Sequence, residues 1–295
     1  MNAAISKSLF KRPPVNVEDE MGAYEFLWAQ QGTTFKKLAE LFQDNPNTLP
    51  SELVDDSYIK NTLNELNYWI KEKDFDISLY GTLDYPESLR DAVYPVEMFY
   101  YKGWLELLSS PKRVAIVGSR NPSPEGVIRT RKLTRLLVEA GYTIFSGLAK
   151  GVDTVAHTTA IDNGGKTVAV IGTPITDYYP PENRNLQNFI AKEHLLISQV
   201  PIKRYHEQNF RVNRIFFPER NATMSALSQA TIIVEAGETS GSLIQARAAL
   251  KQGRKLFILD SCFNNPNITW PHKYAEKGAI RVRHIDDIRG ALESE

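Results

Sequence analysis

The second part of the chain, from Arg113 onward, alternates short apolar runs with longer amphipathic stretches. The runs lack the apolar–polar alternation of half-exposed strands, a pattern typical of strands that are covered on both faces. They predict strands over residues 114–118, 143–147, 168–172, 195–200, 231–236, 255–259 and 279–283. Helical patterns fall between them, for example over residues 129–140, 152–162 and 242–252. This alternation predicts βαβ units, and therefore a parallel α/β sheet flanked by helices.

The N-terminal part of the chain follows a helical period instead. Leu38, Leu41 and Phe42 recur at helical spacing, and a second helical pattern runs over residues 51–74. The role we expect for such a small helical bundle is packing or docking of a partner, in preference to DNA binding. The predicted units are a small helical domain (1–78), a connecting segment that is irregular apart from one short strand (79–111), and the α/β domain (112–295).

Charge and composition narrow the possible functions. The 295 residues carry 35 lysines and arginines against 35 aspartates and glutamates, so the protein as a whole has no electrostatic footprint for nucleic acid. Any such binding needs a local basic patch. No apolar run approaches the ~20 residues of a membrane span, and the N-terminus lacks the sustained apolar segment of a signal peptide. Because the single cysteine, Cys262, excludes an internal disulfide, we expect a cytoplasmic protein without membrane association.

Three of the predicted strands end in glycine-containing turns, at residues 118–120, 146–151 and 235–242. Glycine lets the backbone approach a ligand closely, and Arg120 and Lys150 add positive charge. The second and third turns directly precede helices, whose N-termini favour anions. Since ligands of parallel sheets bind at the carboxyl ends of the strands, these turns are predicted to converge on one phosphate-holding cleft.

The cleft does not match a standard nucleotide site. The first strand is followed neither by G-x-G-x-x-G nor by G-x-x-x-x-G-K-[ST], which argues against a dinucleotide fold and a P-loop. His157 has too few neighbouring ligands for a metal centre. Asp153 lies four residues before His157 on the same predicted helix, so we interpret Asp153 and His157 as a helix-stabilising pair.

The segment 203–221 combines basic and aromatic residues. Its charged residues are Lys203, Arg204, Arg211, Arg214 and Arg220 against Glu207 and Glu219, so five positive minus two negative charges leave +3. Basic side chains can follow a phosphate backbone, and aromatic rings can stack on unpaired bases. We expect Phe216 and Phe217 to be partly core. Arg211, Arg214 and Arg220 are candidate phosphate ligands on a loop that overhangs the cleft.

Six motifs follow one another in a characteristic order: VAIVGSRNPSPEG, SGLAKGVDTVAH, GGKTVAVIG, YPPENRNL, FPERN and VEAGETSGSLIQARAAL. In order and spacing they resemble the DprA/Smf family of DNA-processing proteins, over roughly residues 79–279. The resemblance implies a Rossmann-like fold whose cleft binds single-stranded DNA, loading of a RecA-type recombinase, a role in natural transformation, and a homodimer. It implies no metal, no cofactor and no enzymatic activity. The phosphate-holding residues that it implies are Gly118, Ser119, Arg120, Ser146, Gly147, Lys150, Arg220, Asn221, Gly241 and Ser242.

The sequence departs from the family pattern at several places. Ala222 replaces the second arginine of Arg-Asn-Arg, Gln199 replaces a glutamate, and Asp260-Ser261 replaces Pro-Gly. We expect no winged-helix domain after the α/β part. We therefore interpret the chain as a divergent member of the family. Its biological role could lie in a mobile element or a defence system as well as in transformation.

A nucleotide-binding sensor or a phosphoribohydrolase-like enzyme is the alternative function. The corresponding turn, residues 236–242, lacks the diglycine and the acid of those hydrolases. Glu235 or Glu238 could supply the missing carboxylate.

Overall fold

The computed structural model describes residues 15–293, and its helices and strands account for most of that range. The strands are β1 (Asp76–Leu79), β2 (Met98–Gly103), β3 (Arg113–Val117), β4 (Thr143–Ser146), β5 (Thr167–Ile171), β6 (Leu195–Ser198), β7 (Ala230–Ile233), β8 (Lys255–Leu259) and β9 (Ile280–Val282). The helices are α1 (Val17–Ala29), α2 (Phe35–Asp44), α3 (Asp56–Leu66), α4 (Pro124–Glu139), α5 (Val152–Asp162), α6 (Arg184–Glu193), α7 (Ile202–Glu207), α8 (Phe216–Leu227), α9 (Ser242–Lys251), α10 (Asp260–Phe263), α11 (Trp270–Ala275) and α12 (Ile285–Glu293). The N-terminal stretch examined for a signal peptide lies largely outside the described residues.

Between residues 15 and 293 the strands form one sheet in the order β1-β2-β6-β5-β4-β3-β7-β8-β9. The strands from β6 to β9 in that order are parallel, and β1 and β2 add an antiparallel edge. The predicted Rossmann-like sheet flanked by helices is confirmed. From β3 the chain builds β4, β5 and β6 on one side and β7, β8 and β9 on the other. The strand order therefore reverses between β3 and β7, which is where such sheets hold their ligands.

The segment 79–111 contains the one short strand that the sequence indicated. This strand, β2, pairs with β6. The segment also includes Leu79, the last residue of β1, which is the other strand of the antiparallel edge. Phe99 and Tyr100 of β2 are buried. The backbone of β6 would otherwise present an open edge, and pairing with β2 satisfies it. The connecting segment is thus part of the sheet, while the domain boundaries drawn from the sequence stay a prediction.

The N-terminal part folds into the helices α1, α2 and α3, which buried contacts fasten to the larger unit. Trp28 of α1 packs edge-on against Phe216, with ring centroids 6.2 Å apart. The carboxylate of Glu25 accepts hydrogen bonds from Tyr100, from the backbone N–H of Ile202 at 2.6 Å and from that of Lys203 at 3.0 Å. Burial raises the pKa of Glu25 to about 7. A buried carboxyl with three donors fixes where α7 begins.

Among residues 15–293, no helix has both the length and the apolar character that crossing a bilayer requires.

Candidate phosphate-binding cleft

A cleft of about 510 Å³ opens at the carboxyl ends of β3 and β7. Its walls come from the turn 118–121, the loop 237–242 and the first turns of α8 and α9. The predicted residues that line it are Gly118, Ser119, Arg120, Arg220, Asn221, Gly241 and Ser242. The predicted residues outside this lining are Ser146, Gly147, Lys150, Arg211 and Arg214. All three predicted turns therefore reach the cleft, and the turn 146–151 does so through Ala149.

The turn after β3 is clamped between β7 and α5. The backbone N–H of Ser119 donates to the carbonyl of Glu235 at 2.7 Å, and the carbonyl of Ser119 accepts from Val152 at 3.1 Å. At Gly118 a Cβ atom would lie 2.8 Å from the Glu235 carbonyl oxygen and 2.6 Å from Val152 Cγ2. Only glycine fits such close packing, so this position follows from the backbone geometry.

Arg120 projects from this turn into solvent at the rim of the cleft. Within the part of the chain that the structure describes, its guanidinium has no hydrogen-bond or ion-pair partner. The neighbouring Arg220 is also positive and repels it rather than pairing with it. An arginine in this state is available for an anionic ligand, and its planar fork suits a phosphate.

The loop 237–242 forms the opposite wall and opens α9 toward the cleft. A Cβ atom added at Gly237 or Gly241 would meet nothing within 4 Å, so both glycines leave space for a ligand. The hydroxyl of Ser242 donates to the Gly118 carbonyl at 3.1 Å, and the Asn221 amide donates to the Gly241 carbonyl at 3.3 Å. The positive end of the α9 dipole thus faces the cleft.

The turn 146–151 lines the cleft through Ala149, while its predicted phosphate-holding residues Ser146, Gly147 and Lys150 lie outside the lining. Ser146 is fully buried and its hydroxyl donates to the Ile116 carbonyl at 2.7 Å, so it offers no group to a ligand. Lys150 lies on the surface, where its ammonium pairs with Glu182. The phosphate-holding role that the sequence suggested for Ser146 has no geometric support, because the hydroxyl already serves the sheet.

Arg220 lies beneath the cleft, with only 6% of its surface exposed. Its Nη1 donates to the carbonyl of Gly147 at 2.6 Å and to that of Val170 at 2.7 Å, and its Nε donates to Asn221 at 2.9 Å. Burial lowers its pKa to about 10, partly offset by the nearby Asp153, so the guanidinium stays charged. This arginine ties β5, the 146–151 turn and α8 together.

Asp153 and His157 do not form the pair expected from their spacing on α5. The Asp153 carboxylate accepts from the backbone N–H groups of Gly147 at 3.2 Å and Ala149 at 3.3 Å. Burial raises its pKa to about 6, against the attraction of Arg220. His157 instead shares a hydrogen bond of 2.7 Å with the Thr167 hydroxyl. Its own pKa falls to about 3 on burial, so the imidazole is neutral.

The basic segment 203–221 divides into a docked part and a free part. Lys203 pairs with Glu65 at 2.7 Å, and Arg204 donates to the carbonyls of Trp28 at 3.0 Å and Thr33 at 2.6 Å. These two cations hold the small helical domain, which leaves them unsuited to follow a phosphate backbone.

Arg211 and Arg214 are the exposed cations of this segment. The guanidinium of Arg214 lies 5.6 Å from the ring centroid of Phe210, and that ring is 68% exposed. As expected, Phe216 is core; Phe217 is half-buried and lines the cleft.

Sequence reasoning passed over four polar residues that line the cleft, Asn121, Thr239, Ser240 and Gln245. Gln245 lies one helical turn after Ser242 on α9, a spacing that could have revealed it. Its Nε2 donates to Thr231 at 3.3 Å, and its side-chain oxygen is buried without a partner among the described residues.

The protein belongs to the α/β class with a Rossmann-like sheet, and its glycine-walled, arginine-rimmed cleft lies at the switch point, the place where such sheets hold their ligands. The family model of DNA recombination-mediator protein A matches residues 76–293, and the chain belongs to that family. The resemblance seen in the motifs is thereby confirmed.

Three relatives illustrate the match. The DNA processing protein DprA of Bacillus subtilis is 35% identical over 204 residues, which cover 69% of this chain and 67% of that protein. The structure of DprA from Streptococcus pneumoniae superposes with a TM-score of 0.71 at 28% identity, over 94% of this chain and 98% of that one. DprA from Helicobacter pylori, whose structure concerns a single-stranded DNA binding mode, gives a TM-score of 0.62 at 30% identity, over 74% and 96%.

Proposed function

We propose that this protein binds single-stranded DNA in the cleft between β3 and β7, as a DNA-processing protein of its family. The observation that carries the proposal is the guanidinium of Arg120, which has no partner among residues 15–293 and lies at the rim between two glycine-containing walls. Phosphate would lie between Arg120 and the N-terminus of α9. The Helicobacter pylori relative supports DNA as the source of that phosphate.

The form of the DNA follows from what the cleft offers. Its contacts come from a guanidinium, backbone and small polar groups, which hold phosphates without reading base edges. The half-buried ring of Phe217 in the wall presents an aromatic face, on which a base can stack only when it is unpaired. We therefore expect a preference for single strands with little dependence on sequence.

In the alternative function, a hydrolase, Glu235 or Glu238 would supply the catalytic carboxylate, but both carboxylates already accept hydrogen bonds from other residues. Glu235 accepts hydrogen bonds from the backbone and hydroxyl of Ser123 at 2.8 and 2.6 Å. Glu238 accepts from the backbone and hydroxyl of Thr269 at 2.8 and 2.7 Å. Neither residue lines the cleft, so a catalytic acid over a ribose would have to come from elsewhere.

A binding titration with single-stranded oligonucleotide, blunt duplex and free nucleotides in one buffer tests the proposal. The expected result is tighter binding of the single strand than of the duplex, by about tenfold for each stacked base at ~1.4 kcal/mol. Equal affinity for the two forms would contradict it. Release of a base from a nucleoside monophosphate would instead favour the hydrolase.

The exposed arginines of the basic segment give a second prediction. Replacing Arg211 and Arg214 together by alanine should flatten the log–log salt slope of single-strand binding by roughly 1.4, since each phosphate contact contributes about 0.7. Anisotropy titrations at several salt concentrations measure the slope.

The matched control replaces Lys166 and Lys192, two exposed cations at the opposite, amino edge of the sheet. Their double alanine variant should keep the wild-type slope. If both double variants change the slope equally, the effect is one of total charge and the arginines have no special place.

We further propose, from the family membership, that the chain forms a homodimer and that a RecA-type recombinase is its partner in the cytoplasm. Transformation, a mobile element and a defence system are the candidate settings. Sedimentation of the free protein, and its co-migration with recombinase on single-stranded DNA, test the two associations.

A further inference from the structure

The loop that joins β5 to α6, residues 172–183, exposes two aromatic rings side by side in sequence. Tyr178 and Tyr179 are 37% and 43% exposed. The guanidinium carbon of Arg184, the first residue of α6, lies 4.5 Å from the ring centroid of Tyr178. An exposed ring with a cation over it is a stacking platform that already has charge beside it.

These rings continue the wall of the cleft. The centroid of Tyr179 lies 5.6 Å from that of Phe217, and Phe217 lines the cleft. A Cβ atom at Gly172 would lie 2.6 Å from Phe217 Cδ1, so the missing side chain is what seats the ring against the end of β5. Since β5 is two strands from β3, the end of β5 lies roughly 10 Å across the sheet from the end of β3, where the turn that holds Arg120 begins.

The loop is fixed relative to the cleft. The amide of Asn183 donates to the Leu148 carbonyl and to the Thr154 hydroxyl, both at 2.8 Å. The amide of Gln187 donates to the Asp177 carbonyl at 2.7 Å. The first contact joins the loop to the turn 146–151, so the rings and the cleft belong to one preorganised surface.

The charge of this strip suits a polyanion. Arg184 has no carboxylate partner among residues 15–293. Of the acids in this loop, Glu182 pairs with Lys150, and the Asp177 carboxylate lies 3.2 Å from Nε2 of His206. An incoming phosphate would therefore meet Arg184 without having to displace an internal ion pair.

We infer that the β5–α6 loop is a second binding subsite, on which unpaired bases of a single strand stack after the strand leaves the cleft over Phe217. Tyr179 and Tyr178 supply the aromatic faces, and Arg184 supplies a cation for the phosphate between them. The inference rests on the proposed function and adds a direction to it: the strand runs from β3 across β4 toward β5. It also makes affinity depend on oligonucleotide length.

The chain contains a chemically matched control. Trp104 is 38% exposed and Lys166 lies 4.2 Å from its ring centroid. Lys166 directly precedes β5, whereas the loop 172–183 follows it, so this pair occupies the opposite edge of the sheet. It has an exposed aromatic ring with a cation over it, here a lysine instead of an arginine, and neither residue lines the cleft.

The test measures the affinity of oligothymidylates from about 4 to about 16 nucleotides, the range of sites typical for grooves that follow a single strand. In the wild type, affinity should rise with length. Tyr178→Ala and Tyr179→Ala should each lose roughly tenfold on the long oligonucleotides and nothing on the shortest. Tyr178→Phe should restore binding, because it keeps the ring, and Trp104→Ala should bind like the wild type.

The outcomes separate this subsite from the cleft itself. If Arg120→Ala weakens every length while the tyrosine variants bind all lengths normally, the cleft binds DNA and the subsite is absent. If the tyrosine variants lose the same factor at all lengths, or if Trp104→Ala matches them, stacking after the cleft is wrong. If no variant, Arg120→Ala included, changes binding, the proposed function fails as well.

Discussion

Replacing Arg120 by alanine is expected to weaken single-strand binding by roughly 10- to 150-fold, which corresponds to about 1.5–3 kcal/mol for hydrogen bonds to a charged group. The guanidinium is exposed, lines the cleft and has no partner among the described residues. Nothing in the fold depends on it, so the melting temperature should not change. Anisotropy titration and thermal unfolding of the same preparation measure the two quantities.

Two variants sharpen this experiment. Arg120→Lys keeps the charge but loses the planar fork, and should recover only part of the affinity. Arg131→Ala removes an exposed arginine on α4 that does not line the cleft, and should bind normally. Wild-type binding by Arg120→Ala would show that the cleft is not the DNA site.

The fold was predictable because its signals are local. Each parallel strand is a short apolar run, and each predicted run contains or overlaps an observed strand, as β3 (Arg113–Val117) does for residues 114–118. The bounds of the strand in the connecting segment were harder to predict, because β2 forms by pairing with β6, which follows about a hundred residues later. Pairing across such a distance leaves no mark in the local pattern.

The cleft was partly predictable for the same reason. Gly118 and Arg120 lie in a turn that one strand end dictates, and the structure places both at the cleft. The role of the basic segment was harder to predict. Lys203 pairs with Glu65, and Arg204 donates hydrogen bonds to carbonyls of the N-terminal helical part. A charge count over residues 203–221 treats docked and free cations alike, so only the tertiary contacts separate Arg211 and Arg214 from the rest.

Arg220 is the residue whose interpretation changes most between sequence and structure. The sequence marks it as a candidate phosphate ligand within the FPERN motif. In the fold it is buried and donates to Gly147, Val170 and Asn221. A cation used in this way positions the turns that form the cleft, and it contributes to binding through them.

Arg220→Ala is therefore expected to lower the free energy of unfolding by about 3–5 kcal/mol, the usual cost of leaving a buried charged group without its counterpart. The carbonyls of Gly147 and Val170 would lose their donor, and the buried carboxylate of Asp153 would lose the nearby cation that lowers its pKa. Urea denaturation followed by circular dichroism measures the loss.

A further substitution, which removes the charge of Asp153, distinguishes a structural role of Arg220 from a role as phosphate ligand. If Asp153 depends on this arginine, Arg220→Ala combined with Asp153→Asn should recover part of the lost stability, because no uncompensated charge then remains buried. Arg220→Lys keeps a cation but cannot reach both carbonyls with one planar group, so it should lie between the wild type and Arg220→Ala. The contrary result is an Arg220→Ala protein as stable as the wild type that binds single strands poorly. It would return Arg220 to the role its motif suggested, a direct ligand of the phosphate.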